Sequence, residues 1–144
     1  MEHIRHFVNI NSPIDKVYEA LATQEGLAKW WTETTVAKPE IGFVNEFRFG
    51  EGELKQLKVT SLKPDTYIEW LSVGGDEEWQ DTKIIFNLES KDSKTILRFS
   101  HENWRNATDY FGNCNFHWGI FLGSLKMLCE TGKGRTFQDM MNGN

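Results

Sequence analysis

The sequence predicts an α+β fold in which an antiparallel sheet of about six strands wraps one long C-terminal helix. Three observations carry that prediction. Strand-length stretches follow one another from residue 43 to residue 101 with no helical pattern between them. One further strand precedes two short helical stretches near the start, and an amphipathic helix more than 20 residues long closes the chain. Strands joined without crossover helices pair antiparallel, and the helices must then cover one face of the sheet.

In the first strand, Ile4, His6, Val8 and Ile10 share one side while Arg5 and Phe7 take the other, the period of two of a half-buried strand. It should end at Asn11. Ser12 reads as an N-cap, with Pro13 at the first helical position and Asp15 in the first turn. The helix PIDKVYEALA then offers Ile14, Val17, Tyr18 and Leu21 as one apolar stripe. Gly26 breaks the pattern, and Leu27, Trp30 and Trp31 form a second, short helical turn. Adjacent helical residues point about 100° apart, so either one of the two tryptophans seals the core and the other borders a pocket mouth, or both serve as core and hydrophobic cover. The polar stretch from Thr32 to Gly42, with Pro39, reads as a loop. Strands follow at Phe43 to Phe49, Glu53 to Leu62, Tyr67 to Val73, Thr82 to Leu88 and Lys94 to His101. They are punctuated by Gly50 and Gly52, KPDT, GGDEE and the hairpin-like ESKDSK.

In the closing helix, which extends back to about Ala107, Phe111, Cys114, Trp118, Phe121, Leu122, Leu125 and Cys129 fall on an arc of about 100°. Gly132 and Gly134 should end it, with Lys133 near its negative end. Gly112, Gly119 and Gly123 lower its intrinsic stability, so it has to lie against the sheet. A twisted sheet leaves space beneath such a helix, either plugged by side chains or open to a ligand.

The chain has 144 residues, the size of one domain, spanning 1–144. Its formal net charge of −5 and the lack of a basic stripe argue against a nucleic-acid surface. No apolar run reaches the length of a membrane span, and MEHIRHFVNI lacks the apolar segment of a signal peptide. Cys114 and Cys129 on one helix would stand about 22 Å apart at 1.5 Å per residue, too far to bond. Reduced thiols and a cytoplasmic location are expected. Six tryptophans and ten phenylalanines need a large core, a pocket or an interface.

The stretch from Ile10 to Trp31, I-x-x-P-x-x-x-V-Y-x-A-L-x-x-x-x-x-L-x-x-W-W, and the closing W-G-x-F-L-x-S-L-K-x-x-x-E-x-G-K-G from Trp118 to Gly134 resemble one family. It is the family named for the activator of the heat-shock-protein-90 ATPase, within the START-like, polyketide-cyclase-like (SRPBCC) superfamily. The resemblance covers essentially the whole chain and implies the helix-grip fold. It also implies a cavity between sheet and long helix that often holds apolar ligands; some relatives are enzymes. The activator itself has two domains, and its N-terminal domain, which does much of the work on the chaperone, has no counterpart in the resemblance. Relatives commonly carry a His-Ser-Gly-Phe-like stretch after the last strand. Here it reads His101, Glu102, Asn103, Trp104, so the pocket rim should differ in polarity from theirs.

The expected ligand wall comprises Trp30, Trp31, Trp70, Phe86, Phe99, Trp104, Trp118 and Leu122, with His101 giving orientation. His101 shares strand parity with Leu97 and Phe99. It could hydrogen-bond a ligand, serve as a general base, or simply be satisfied by Glu102 or water. Phe116, Ile120 and Met127 lie on the far side of the last helix and form either a homodimer or partner interface or a surface covered by a returning tail with Phe137 and Met140. His117 should be at the surface or an interface. No cofactor or metal is expected: His3 and His6 are too few for a zinc set, and no phosphate-cradling or nucleophile-elbow motif occurs. Glu51, Glu53, Asp76, Glu77 and Glu78 read as solvated turn charges. The leading function is binding of an apolar or amphipathic small molecule. The alternatives are a cyclase- or isomerase-like enzyme using His101 and a chaperone cofactor or other protein-interaction module.

Overall fold

The computed structural model describes residues 1–143. Its elements run β1 (Glu2–Ile10), α1 (Ile14–Ala22), α2 (Gln24–Trp30), β2 (Thr35–Val36), β3 (Val44–Arg48), β4 (Leu54–Lys63), β5 (Tyr67–Gly74), β6 (Lys83–Lys91), β7 (Lys94–Trp104), α3 (Asp109–Thr131) and α4 (Phe137–Met141). The strands form one antiparallel sheet in the order β1-β7-β6-β5-β4-β3-β2. This is the helix-grip arrangement, with seven strands rather than six. The additional one, β2, lies in the stretch read as a loop. Two residues are too few to show an alternation, yet Thr35 and Val36 pair with Phe47 and Glu46 at the sheet edge.

Alternation sets the faces as expected. In β1, Ile4 and Ile10 are buried, His6 and Val8 half-buried, and Arg5 and Phe7 exposed. In β6 and β7, Phe86 faces Phe99 and Leu88 faces Leu97 across the ladder, all four buried. Asp92 and Ser93 both take positive φ, 53° and 64°, between the paired Lys91 and Lys94. Such a two-residue turn matches the twist of its strands.

Several boundaries differ from expectation. Pro13, in extended conformation, caps α1, and Ser12 makes no side-chain cap; its carbonyl instead accepts from Thr95 Oγ1 at 2.8 Å. Gly26 does not break a helix but sits inside α2. A Cβ there would come within 2.5 Å of Ala20 Cα, so glycine allows α1 and α2 to meet backbone to backbone. β7 runs on to Trp104, which places His101 to Trp104 in the sheet, not on a rim after it. Trp30 and Trp31 are both buried, at 0% and 2% exposure. Trp31 stands just past the helix end as its C-cap, and its ring stacks on that of Trp30 at 5.8 Å, so the two share one aromatic layer.

α3 starts with Thr108 accepting from the Phe111 N–H and ends at Gly132 in the left-handed region. It packs most closely on β1, α2 and α1, burying Cys114, Trp118, Phe121, Leu122 and Leu125. Phe111 and Cys129 are half-buried, and both cysteines are free. After α3 the chain turns back. Ser124 Oγ donates to Arg135 O and accepts from Arg135 N, and the Phe137 N–H donates to Trp31 O at 2.8 Å. Among the described residues no helix is long and apolar enough to cross a membrane.

Candidate functional site

Because α3 lies toward β1, its N-terminal half stands away from the β3–β4 side of the sheet, and a cavity of about 300 Å³ opens there. Trp31 and Phe49 form one wall, and Trp118, Phe121 and Cys114 of α3 another. Trp79, from the loop between β5 and β6, closes the inner end. Phe137, Met140 and Met141 of α4 stand over the opening. Glu53, Asn113 and His117, all exposed, form its polar rim.

The wall is an aromatic lattice. Trp31 lies 5.0 Å from Trp118 and 5.1 Å from Phe49, and it stacks on Trp70 at 6.2 Å. Trp79 stacks on Trp118 at 6.2 Å with 19° between the planes. Offset stacking and edge contacts of this kind add to what area burial contributes.

The polar feature of the cavity is Lys55. β4 alternates so that Lys55, Leu57 and Val59 all face inward and are buried. The Lys55 ammonium pairs with Asp76, donates to Tyr110 Oη at 2.8 Å and lies 4.4 Å from the centre of the Trp79 ring. The Tyr110 hydroxyl in turn donates to Asp76 Oδ2. Asp76 Oδ1 accepts the Glu78 and Trp79 N–H groups at 3.0 and 3.3 Å, so the carboxylate that holds the lysine also shapes the loop that delivers Trp79. Burial works to raise the Asp76 carboxyl. The hydrogen bonds from Lys55 and Tyr110, the Lys55 charge and the Trp79 N–H outweigh it and hold the group below the usual carboxylate value. Burial first, then the bond to Asp76, pushes the Tyr110 phenol far up. Burial also raises the Cys114 thiol, which makes it a poor nucleophile. Asp76 is thus not a solvated turn charge but half of a buried ion pair.

Of the residues expected on the ligand wall, Trp31 and Trp118 are there. Trp30, Trp70, Phe86, Phe99, Trp104 and Leu122 are buried in the packed core instead, and the residues lining the cavity do not include them. Alternation places Trp70, Phe86 and Phe99 on the inner face, and Trp104 is buried beyond Asn103, whose φ of 72° breaks the alternation. α1 lies over β6 and β7, and the Trp31 and Trp118 rings fill the space against Trp70 and Phe99. Trp30 Nε1 donates to Ala20 O at 2.8 Å, and Trp70 meets Phe86 edge-on at 5.1 Å.

His101 is fully buried behind the wall. Its Nε2 meets Thr82 Oγ1 at 2.8 Å and its Nδ1 accepts from Trp118 Nε1 at 3.1 Å. These, rather than Glu102 or water, are its partners, because Glu102 turns to Ser100 Oγ. An Nδ1 that accepts means an imidazole protonated on Nε2 and neutral. Burial depresses its pKa to about 3 from an ordinary 6.5, with Asp76 raising and Lys55 lowering it slightly. The native state therefore resists a proton that the unfolded chain takes up below 6.5. The stability owed to neutral His101 is complete above that value and drains away as the pH falls toward about 3. Wild type should lose about 1.4 kcal/mol per pH unit more than His101→Gln across that window, read by urea unfolding.

His3 and His6 are engaged apart, His3 Nδ1 accepting from the Asn103 N–H and His6 Nε2 meeting Asn115 Oδ1. On the outer face of α3, Phe116 and Met127 are exposed at 67% and 45%, and Ile120 is half-buried. The tail does not cover them: Phe137 packs on Phe49 at 5.6 Å, at the cavity mouth.

An aromatic cavity gripped between a curved antiparallel sheet and a long C-terminal helix defines a START-like domain. The chain belongs to the family described as activator of Hsp90 ATPase homolog 1-like proteins, whose model matches residues 11–130. A search of curated proteins found no match. Among solved structures, the Aha1 dimer from Colwellia psychrerythraea is 40% identical with a TM-score of 0.86, covering 93% of this chain and 100% of its own. Protein MLL2253 from Mesorhizobium loti (19% identity, TM-score 0.78) covers 88% of this chain and 96% of its own. CalU16 from Micromonospora echinospora (15%, 0.70) covers 88% of this chain and 73% of its own. The last two are alike in fold alone.

Proposed function

We propose that this protein is a cytoplasmic binding domain for an apolar or amphipathic small molecule, held in the cavity between Trp31, Trp79 and Trp118. The observation that carries this reading is the cavity itself: about 300 Å³ beside a polar pair, lined mainly by aromatic and methionine side chains with Glu53, Asn113 and His117 at its rim. That is the small end of the range for ligand pockets, which are mostly apolar with few polar groups. The enzyme reading through His101 has less support, since both ring nitrogens are committed within the core. The chaperone-cofactor reading rests on the family name alone.

A second reading concerns partners. The Colwellia relative is described as a dimer, and Phe116, Ile120 and Met127 give α3 of this chain an apolar outer face. We propose a homodimer through that face. Native mass spectrometry of protein isolated from its own cell tests both readings. A retained mass that is lost on denaturation is expected, together with a dimer peak abolished by Phe116→Asp. A dimer unaffected by that change would reject the face. Protein that retains nothing and also fails to bind apolar dyes would reject the cavity.

A further inference from the structure

We propose that the inner end of the cavity selects an uncharged apolar molecule carrying a carbonyl oxygen, which accepts a hydrogen bond from the Lys55 ammonium. The inference rests on the cavity being a ligand site and adds the class of ligand.

It follows from a count of donors and acceptors. An ammonium has three N–H donors. Lys55 gives one to Asp76 and one to Tyr110. Among the described residues no oxygen or nitrogen acceptor takes the third, which has the face of the Trp79 ring, 4.4 Å away, as its nearest partner, a weaker contact than a hydrogen bond to an oxygen. The side chain is 9% exposed, and the residue is part of the cavity wall. The acceptors around it are already used. Asp76 Oδ2 receives Lys55 and Tyr110, and Oδ1 receives two backbone N–H groups. The Tyr110 oxygen receives Lys55 while its proton goes to Asp76. Around the ion pair the cavity has a donor to offer and no oxygen acceptor to spare, the other acceptors of the lining being the weak Cys114 sulfur and the exposed rim groups Glu53, Asn113 and His117. It therefore favours a ligand oxygen that accepts without bringing a proton of its own. Ketones, esters and quinones do so; alcohols and amines bring protons that would need acceptors.

Charge narrows the class further. Lys55 and Asp76 cancel, and His101 behind them is neutral. A carboxylate or sulfonate entering here would sit beside Asp76 as an uncompensated buried anion, which is costly in an apolar surround. The remaining wall, with Trp31, Trp118, Phe49 and Phe121, offers flat apolar surface on which the body of such a molecule can lie.

The test compares three probes by fluorescence titration: the neutral ketone propionyl-dimethylaminonaphthalene, its analogue with a methylene in place of the carbonyl, and the anion anilinonaphthalenesulfonate. Wild type should bind the ketone about ten- to a hundred-fold more tightly than the methylene analogue, the range of a hydrogen bond to a charged group. In Lys55→Met/Asp76→Asn, which removes both charges together, the ratio of the two affinities should fall to about one, whatever the change does to the affinity common to both probes. The ketone's carbonyl stretching band should move to lower frequency on binding to wild type. Equal affinity for ketone and analogue on wild type, or tighter binding of the anion, overturns the carbonyl assignment while leaving the cavity reading intact. Failure of all three to bind overturns both.

Discussion

Trp118→Ala is expected to destabilise the protein by about 3 to 5 kcal/mol, the range for emptying a buried aromatic site. Trp118 stands where the three parts of the account meet. It is 3% exposed and touches Phe99 of the sheet at 4.5 Å, Trp31 at 5.0 Å and Trp79 at 6.2 Å. It also supplies the hydrogen bond to His101 Nδ1. Removing it merges the cavity with the core and leaves a buried ring nitrogen without its donor. Trp118→Phe keeps most of the apolar contact and loses the hydrogen bond, so it should cost about 1 kcal/mol for that bond plus a smaller packing loss. Urea denaturation of the pair separates the two contributions. A cost below about 1 kcal/mol for the alanine variant would mean that α3 is not held to the sheet as described.

Asp76→Ala should cost a similar amount, about 3 to 5 kcal/mol, because it strands the Lys55 ammonium in a buried site. Both side chains are largely inaccessible, at 9% and 12% exposure, so solvent screening reduces the effect little. The same change frees the Glu78 and Trp79 N–H groups and loosens the loop that carries Trp79. The double change Lys55→Met/Asp76→Asn removes both charges and should cost distinctly less than Asp76→Ala alone. A double-mutant cycle in urea measures the coupling. The sign with pH is also fixed. A carboxyl held below its ordinary 3.8 contributes stability above that value and loses it as pH falls through the lower native value. Additive costs in the cycle would mean that Lys55 and Asp76 are not coupled as a buried pair.

The fold was legible in the sequence because its signals are periodic. Alternation in β1, β6 and β7 and the stripe from Cys114 to Leu125 each report which side of an element is buried. They do not report depth. Phe86 and Phe99 of the sheet and Trp118 of α3 all turn to the core, yet only Trp118 meets the cavity, because that depends on where α3 leans. Lys55 could have been noticed: a lysine in phase with Leu57 and Val59 on a strand is out of place unless it has a partner. Asp76, 21 residues on, and Tyr110, 55 residues on, arrive only through the β4–β5 pairing and the docking of α3, and no local pattern announces them. The Ser12 expectation missed by one residue because proline adopts the extended cap conformation as readily as the first helical one. The covered-helix alternative failed because the tail is tied by Phe137 to Trp31 on the opposite side of α3.

The six tryptophans supply the most direct measurement. Trp31, Trp79 and Trp118 stand on the cavity wall, and Trp30, Trp70 and Trp104 are packed behind it. In a nitrogen–proton correlation spectrum of the labelled protein titrated with propionyl-dimethylaminonaphthalene, the indole signals of the first three should move furthest and saturate together. Should the indoles stay still while the backbone amides around Phe116 and Met127 shift, the dye sits on the outer helix face and the cavity is not the binding site.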